Sequence, residues 1–159
     1  MLGDIQIYDE GAFGYPGDEK FVVASGGVAT INAGEPVLKA LGANAVTIAA
    51  TNEPVVGTQY MAGIAATTST DTASANGVVN VTKMDPNLSY LIAPKVAITS
   101  QTTYDGYVGY RVLLDLTAGT WTILVSDSAN NGCVIEPLDI KKYPGKVRFS
   151  LRQALSYRA

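Results

Sequence analysis

The chain has 159 residues, a formal net charge of −3, one cysteine and no histidine. The missing histidine excludes Ser-His-Asp and Cys-His catalysis and nearly all zinc sites. With only 16% charged residues and an acidic balance, the chain lacks the basic face of a general nucleic-acid binder.

This length corresponds to about one domain, large enough to bury a core without a disulfide or metal. Residues 1–19 contain Gly11, Gly14, Pro16 and Gly17 and show little periodicity. Ile5, Ile7, Tyr8, Phe13 and Tyr15 are scattered among them. A flexible tail has no use for such side chains, so they predict an extended arm that docks on this domain or on a partner. Residues 20–159 are read as the domain itself. Met1-Leu2-Gly3-Asp4 has no basic and apolar lead of the secretory type, and no apolar run approaches the roughly 20 residues of a membrane span. The expectation is synthesis in the cytoplasm and no membrane partner.

Residues 21–24 read as a strand, Gly26-Gly27 as a two-residue turn and residues 28–31 as the return. Residues 36–40 and 45–50 follow as short strands. Pro36 and Gly42 bracket the first of these too closely for a stable helix. Residues 62–66 are small, which suits a strand pressed between layers, and Gly63 marks a close backbone approach. Residues 77–82 alternate with period two, placing Val79 and Val81 on one face. Between these two strands lies the hydroxyl-rich run from Thr67 to Ser74. Asn76-Gly77 tolerates positive φ, so the whole stretch reads as a hairpin with a polar tip.

Further strands are expected at residues 90–93, 96–99, 111–116, 121–125, 134–135 and 147–151. Thr117-Ala118-Gly119-Thr120 turns between two of them. Residues 100–109 give the one short helix, with Ser100 as its cap and Gly109 at its end. Nine or more short strands with Gly, Asn and Pro turns predict an all-β fold, a single compact β-sandwich or barrel, either jelly-roll-like or a smaller barrel.

The chemistry-bearing candidates are few. The hydroxyls of 67–74 would need a base, and Lys83 is the nearest lysine; no spaced motif supports the pairing. Asp115, Asp127, Glu136 and Asp139 could supply a glycosidase-type carboxylate pair, but acids at turns and strand ends are ordinary. Residues 127–132 offer oxygen ligands without the acidic density of a calcium loop. Tyr104, Tyr107 and Tyr110 could line a sugar-binding face if helical, although core or interface is their commoner use. Cys133 follows Asn131-Gly132 and precedes Val134-Ile135, which reads as a buried thiol. Asp4, Asp9, Glu10, Asp18 and Glu19 crowd the start, while Lys141, Lys142, Lys146, Arg148, Arg152 and Arg158 crowd the end. The two groups could pair within or between chains.

Three stretches carry a family resemblance: VVASGGVATINAGEPV (22–37), GTQYMAGIAATTSTDTASANGVVNV (57–81) and YDGYVGYRVLLDLTAGTWTILVSDSANNGCVIEPLDIKKYPGKVRFSLR (104–152). Together they resemble the head decoration, or cement, proteins of tailed bacteriophages. The resemblance covers most of residues 20–152 and rests on structural rather than catalytic motifs. It implies a non-enzymatic virion protein without cofactor or metal, on the outer capsid surface. The implied partners are the major capsid protein and two further copies of the chain, as a homotrimer. Ile5, Ile7, Tyr8, Phe13 and Tyr15 of the arm, with Arg148 and Arg152 of the last strand, are the expected intersubunit contacts. The alternative expectation is a carbohydrate-binding or adhesion module displayed on a virion or cell surface.

Overall fold

A computed structural model describes residues 5–8, 17–23, 30–49, 52–72, 75–117 and 119–152, with Ile7 described by its backbone. Among them are thirteen strands and one short helix. The strands are β1 (Gln6–Ile7), β2 (Asp18–Val22), β3 (Thr30–Ile31), β4 (Pro36–Ala40), β5 (Thr47–Ile48), β6 (Gln59–Ala65) and β7 (Ser69–Thr70). They continue with β8 (Val78–Lys83), β9 (Ser89–Ile92), then α1 (Gln101–Asp105), β10 (Arg111–Thr117), β11 (Thr120–Leu124), β12 (Cys133–Ile135) and β13 (Val147–Leu151). The fold is all-β, as the strand spacing predicts.

The strands form a five-stranded sheet, β2-β8-β6-β4-β5, and a six-stranded sheet, β1-β9-β13-β12-β10-β11, with β3 and β7 as a separate pair. All strand pairs are antiparallel. Each sheet curls until strands from its two sides meet, the first at its end strands and the second where the end of β9, next to the edge strand β1, reaches β11. In the first, Val23 bridges Val46, with the Val46 amide donating to the Val22 carbonyl at 2.9 Å. In the second, Pro94 bridges Ile123, and the Lys95 amide donates to Ile123 O at 2.9 Å. Closure at these bridges shortens the open edges, and β1 remains an edge strand of the second sheet.

Two apolar clusters follow from the curl. Phe21, Val37, Ala62, Ala65, Val79 and Val81 line one face of the first sheet with Val23, Ile31 and Val46. The opposite face contributes Leu38, Met61 and Ile64 to the core of the second sheet, around Tyr90, Val112, Leu114, Ile123, Phe149 and Leu151. β4 and β6 are therefore buried on both sides. A register shift between Val37 and Leu38 makes Ala62 the extra residue of a β-bulge, so Met61 and Ile64 share a face although three residues apart. Gly63, at φ 149°, passes so close to β8 that a Cβ would sit 2.0 Å from the Thr82 carbonyl oxygen. Gly63 is thus a packing requirement of this strand.

β6 and β8 pair as the hairpin read from the sequence, with Ile64 opposite Thr82. The described part of its tip is held by hydrogen bonds to the main chain. Thr67 Oγ1 accepts from the Asn80 amide at 3.1 Å, and the buried Asp71 accepts from the Gly77 amide at 3.0 Å. Ser69–Thr70 also pairs with Thr30–Ile31. That pairing corrects the expected hairpin between residues 21–24 and 28–31. β2 pairs with β8 and β3 with β7, because the alternating β8 offers the longer ladder. Gly26-Gly27 itself lies outside the described residues.

The strand expected at 96–99 is absent. Residues 93–95 already occupy the main chain of Ile123, and Val96 is 67% exposed. The helix spans Gln101–Asp105, with Ser100 Oγ accepting from the Thr103 amide at 3.1 Å. It ends at Gly106 rather than Gly109. Gly109, at φ 87°, instead donates to the Ile135 carbonyl at 2.9 Å and leads the chain into β10.

Candidate interaction site

β1 is donated by the arm to the sheet built from the second half of the chain. Gln6 lies opposite Leu91 and Ile7 opposite Tyr90, and the Tyr8 amide donates to Ser89 O at 2.8 Å. Ile5 is fully buried in the second sheet's core. The described part of the arm therefore docks on its own domain.

Tyr8 and Arg148 of β13 come together here although 140 positions apart. The Arg148 guanidinium carbon sits 4.2 Å from the Tyr8 ring centroid. Arg148 also donates from Nη2 to Ser89 Oγ at 3.0 Å and from Nη1 to the Pro137 carbonyl at 3.3 Å. Its backbone amide donates to the Tyr104 hydroxyl at 3.0 Å, and that hydroxyl donates to the Glu136 carbonyl at 2.8 Å. Burial holds the Tyr104 phenol above its usual range, so it stays a neutral donor to Glu136. Beyond Tyr8, the ring of Tyr143 stands 5.4 Å away at 58°, and Lys142 Nζ lies 5.4 Å from that ring's centroid. Arginine, tyrosine, tyrosine and lysine make a cation–aromatic row along one surface.

Beside this row opens a groove of about 580 Å³, lined by Tyr8, Gln101, Asp105, Pro137, Leu138, Asp139 and Lys141. Its floor is fixed by Gln101. The side-chain amide donates to Asp105 Oδ1 at 2.7 Å and Leu138 O at 2.9 Å, while its oxygen accepts from the Ile140 amide at 3.1 Å. Asp139 Oδ1 accepts from the amides of Lys141 and Lys142, which shapes the basic loop. The sequence reading missed Gln101, Tyr143 and the groove. Lys-Lys-Tyr-Pro-Gly carried the only local signal, a turn with exposed cations next to an aromatic ring.

Of the remaining expected contacts that the structure describes, Ile5 lies in the core and Arg152 does not join this site. Arg152 sits at the other end of β13, donating from Nη1 to Ala129 O at 2.7 Å and Asn131 O at 3.2 Å. Phe13 and Tyr15 lie outside the described residues. The first-segment acids and last-segment bases do not pair among the described residues; Glu19 pairs with Lys83 instead.

The other chemical candidates have structural employment. Asp115 accepts from Lys95 Nζ at 3.0 Å and Thr117 Oγ1 at 2.6 Å, and these bonds, the threonine's first, hold its carboxyl below the usual range. Asp127 is held low by the Arg111 backbone and side chain. Glu136 accepts from Ser150 Oγ at 2.6 Å. In the 127–132 loop, Asn131 Nδ2 donates to Arg111 O and Ser126 O, so this side chain braces the turn. The described residues contain no group of three or more His, Cys, Asp or Glu placed to hold a metal. Tyr104 turns into the core, while Tyr107 and Tyr110 meet edge to face at 5.5 Å, so the three rings do not form one platform. Cys133 is buried, which pushes its thiol up to about 12. No helix among the described residues is long and apolar enough to cross a membrane.

Comparison with protein-family models, with curated proteins and with solved structures finds no match to this chain.

Proposed function

We propose that the chain is a structural virion protein of a tailed bacteriophage, a decoration protein that binds the outer capsid surface and cements neighbouring major capsid subunits. The observation that carries this reading is the convergence of Tyr8, Arg148, Tyr143 and Lys142 on one face. Tyrosine and arginine are the residues that protein interfaces enrich and that dominate their binding energy. The placement adds support, because the row joins the arm to the basic end of the chain on the outside of a curled sheet. Contacts repeated by symmetry over a shell give high avidity from modest single sites. A homotrimer is the assembly proposed.

Ile5 belongs to the core and Asp18–Val22 is a strand, so removing residues 1–19 would disturb folding as well as binding. Point variants are the cleaner test. Purified protein is mixed with undecorated capsids of the phage that encodes it, and the particles are imaged. Symmetric extra density is expected, with occupancy reduced about tenfold by a paired Tyr143→Ala and Lys142→Glu variant. Bare capsids at saturating protein would sink the reading.

The groove favours a second reading, a glycan-binding module. It places an aromatic ring beside the carboxylates of Asp105 and Asp139, a combination suited to sugar rings and hydroxyls. Specific signals on a glycan array, lost in Asp105→Ala, would select it over the capsid reading.

A further inference from the structure

We infer that the seat of Ile5–Tyr8 is an exchange site, and that a second copy of this chain can fill it with its own Ile5–Tyr8. The seat is made entirely by residues far along the sequence: Ser89–Leu91 on one side, and Arg148 and Tyr143 above Tyr8. Ile5 completes the core, so an empty seat would expose apolar surface and demand an occupant. The hold on the occupant is short, with two paired positions and one flanking amide bond. Exchange recreates the same contacts, so the two arrangements differ mainly in connector and concentration. The donor adds at a sheet edge, beyond β9, so its seat is open from the side.

The connector has reach to spare. Tyr8 is bonded to Ser89, and Gly17 O accepts from the Lys83 amide at 3.1 Å. Only residues 84–88 separate Lys83 from Ser89, which places the two ends of the connector within about 20 Å of each other. A turn closed by the Leu88 amide on Asp85 O shortens that gap further. Residues 9–17 span up to about 30 Å when extended, and Gly11, Gly14 and Gly17 among them permit a change of direction. Copies held side by side at high local concentration are therefore within each other's reach. The inference deepens the reading of the arm as an intersubunit segment, and it is tested without capsids, so either can fail alone.

The test uses the cross-strand pair Gln6 and Leu91. Full-length chains carrying Gln6→Cys and Leu91→Cys are prepared with and without a mass tag, mixed, concentrated, then oxidised; Cys133 is buried and does not compete. The expected result is a tagged–untagged disulfide pair whose share rises with concentration. An intrachain link alone at every concentration overturns the proposal. A second measurement needs no cysteine. Light scattering of the natural chain at rising concentration should show an oligomer that Ile5→Asp abolishes, and a monomer throughout overturns it.

Discussion

Arg148 lies over the ring of Tyr8 at 4.2 Å while its own backbone amide is tied to the buried hydroxyl of Tyr104. One residue thus couples the start of the chain, the short helix and the last strand. The guanidinium keeps its hydrogen bonds to Ser89 and Pro137 with the ring stacked against it, so the contact is shaped on more than one side.

The coupling is measurable. In a double-mutant cycle of Tyr8→Ala with Arg148→Met, followed by denaturant unfolding, the interaction energy is expected at about 1 kcal/mol. Additive single-variant effects would show that ring and guanidinium are merely neighbours.

Gly63 and Gly57 provide a matched pair. Both have positive φ, yet a Cβ on Gly57 meets nothing within 4 Å, whereas one on Gly63 would overlap the Thr82 carbonyl at 2.0 Å. Gly57→Ala is expected to cost about 1 kcal/mol, from backbone strain alone. Gly63→Ala should cost about 3 kcal/mol or more, because β6 and β8 must separate. Thermal unfolding of the two variants compares them directly, and equal midpoints would contradict the close approach.

Acid stability turns on Asp115. Its folded-state pKa lies below the ordinary 3.8, chiefly through the Thr117 hydroxyl and then Lys95. A lowered folded value means that the stabilisation is complete above the unfolded pKa and is lost as pH falls through the folded one. Stability should therefore hold from neutral pH to about 4 and decline below it. Asp115→Asn should be less stable at pH 7 and should show a shallower decline between pH 4 and 2. A wild-type slope in that variant would assign the acid sensitivity to other carboxylates.

The hairpin of β6 and β8 and the ribbon of β10 and β11 were legible because each has its partner next to it in sequence. The turn at Gly119, which takes positive φ, and the period-two alternation in Val78–Lys83 are local information, whereas the positive φ expected at Asn76-Gly77 is not adopted; there a Cβ on Gly77 would crowd Ser69 and Thr70. The helix was legible for the same reason, through the Ser100 cap. The turn read at Gly26-Gly27 had the same local appearance, yet β3 pairs with β7. A ladder is chosen by competition among all available edges, which no window of ten residues contains.

Charge, the missing histidine and the strand pattern are properties of the chain itself, and they were enough to set the all-β class and to narrow the chemistry. The candidate interaction face was not readable in the same way. Tyr8, Gln101, Leu138, Tyr143 and Arg148 come from four separate segments, and each alone has an ordinary local context. Curling of the second sheet, closed by Pro94 on Ile123 and extended by the arm at β9, brings them to one surface. Burial of Ile5 holds the described part of the arm against the second sheet, because apolar area is removed from water there.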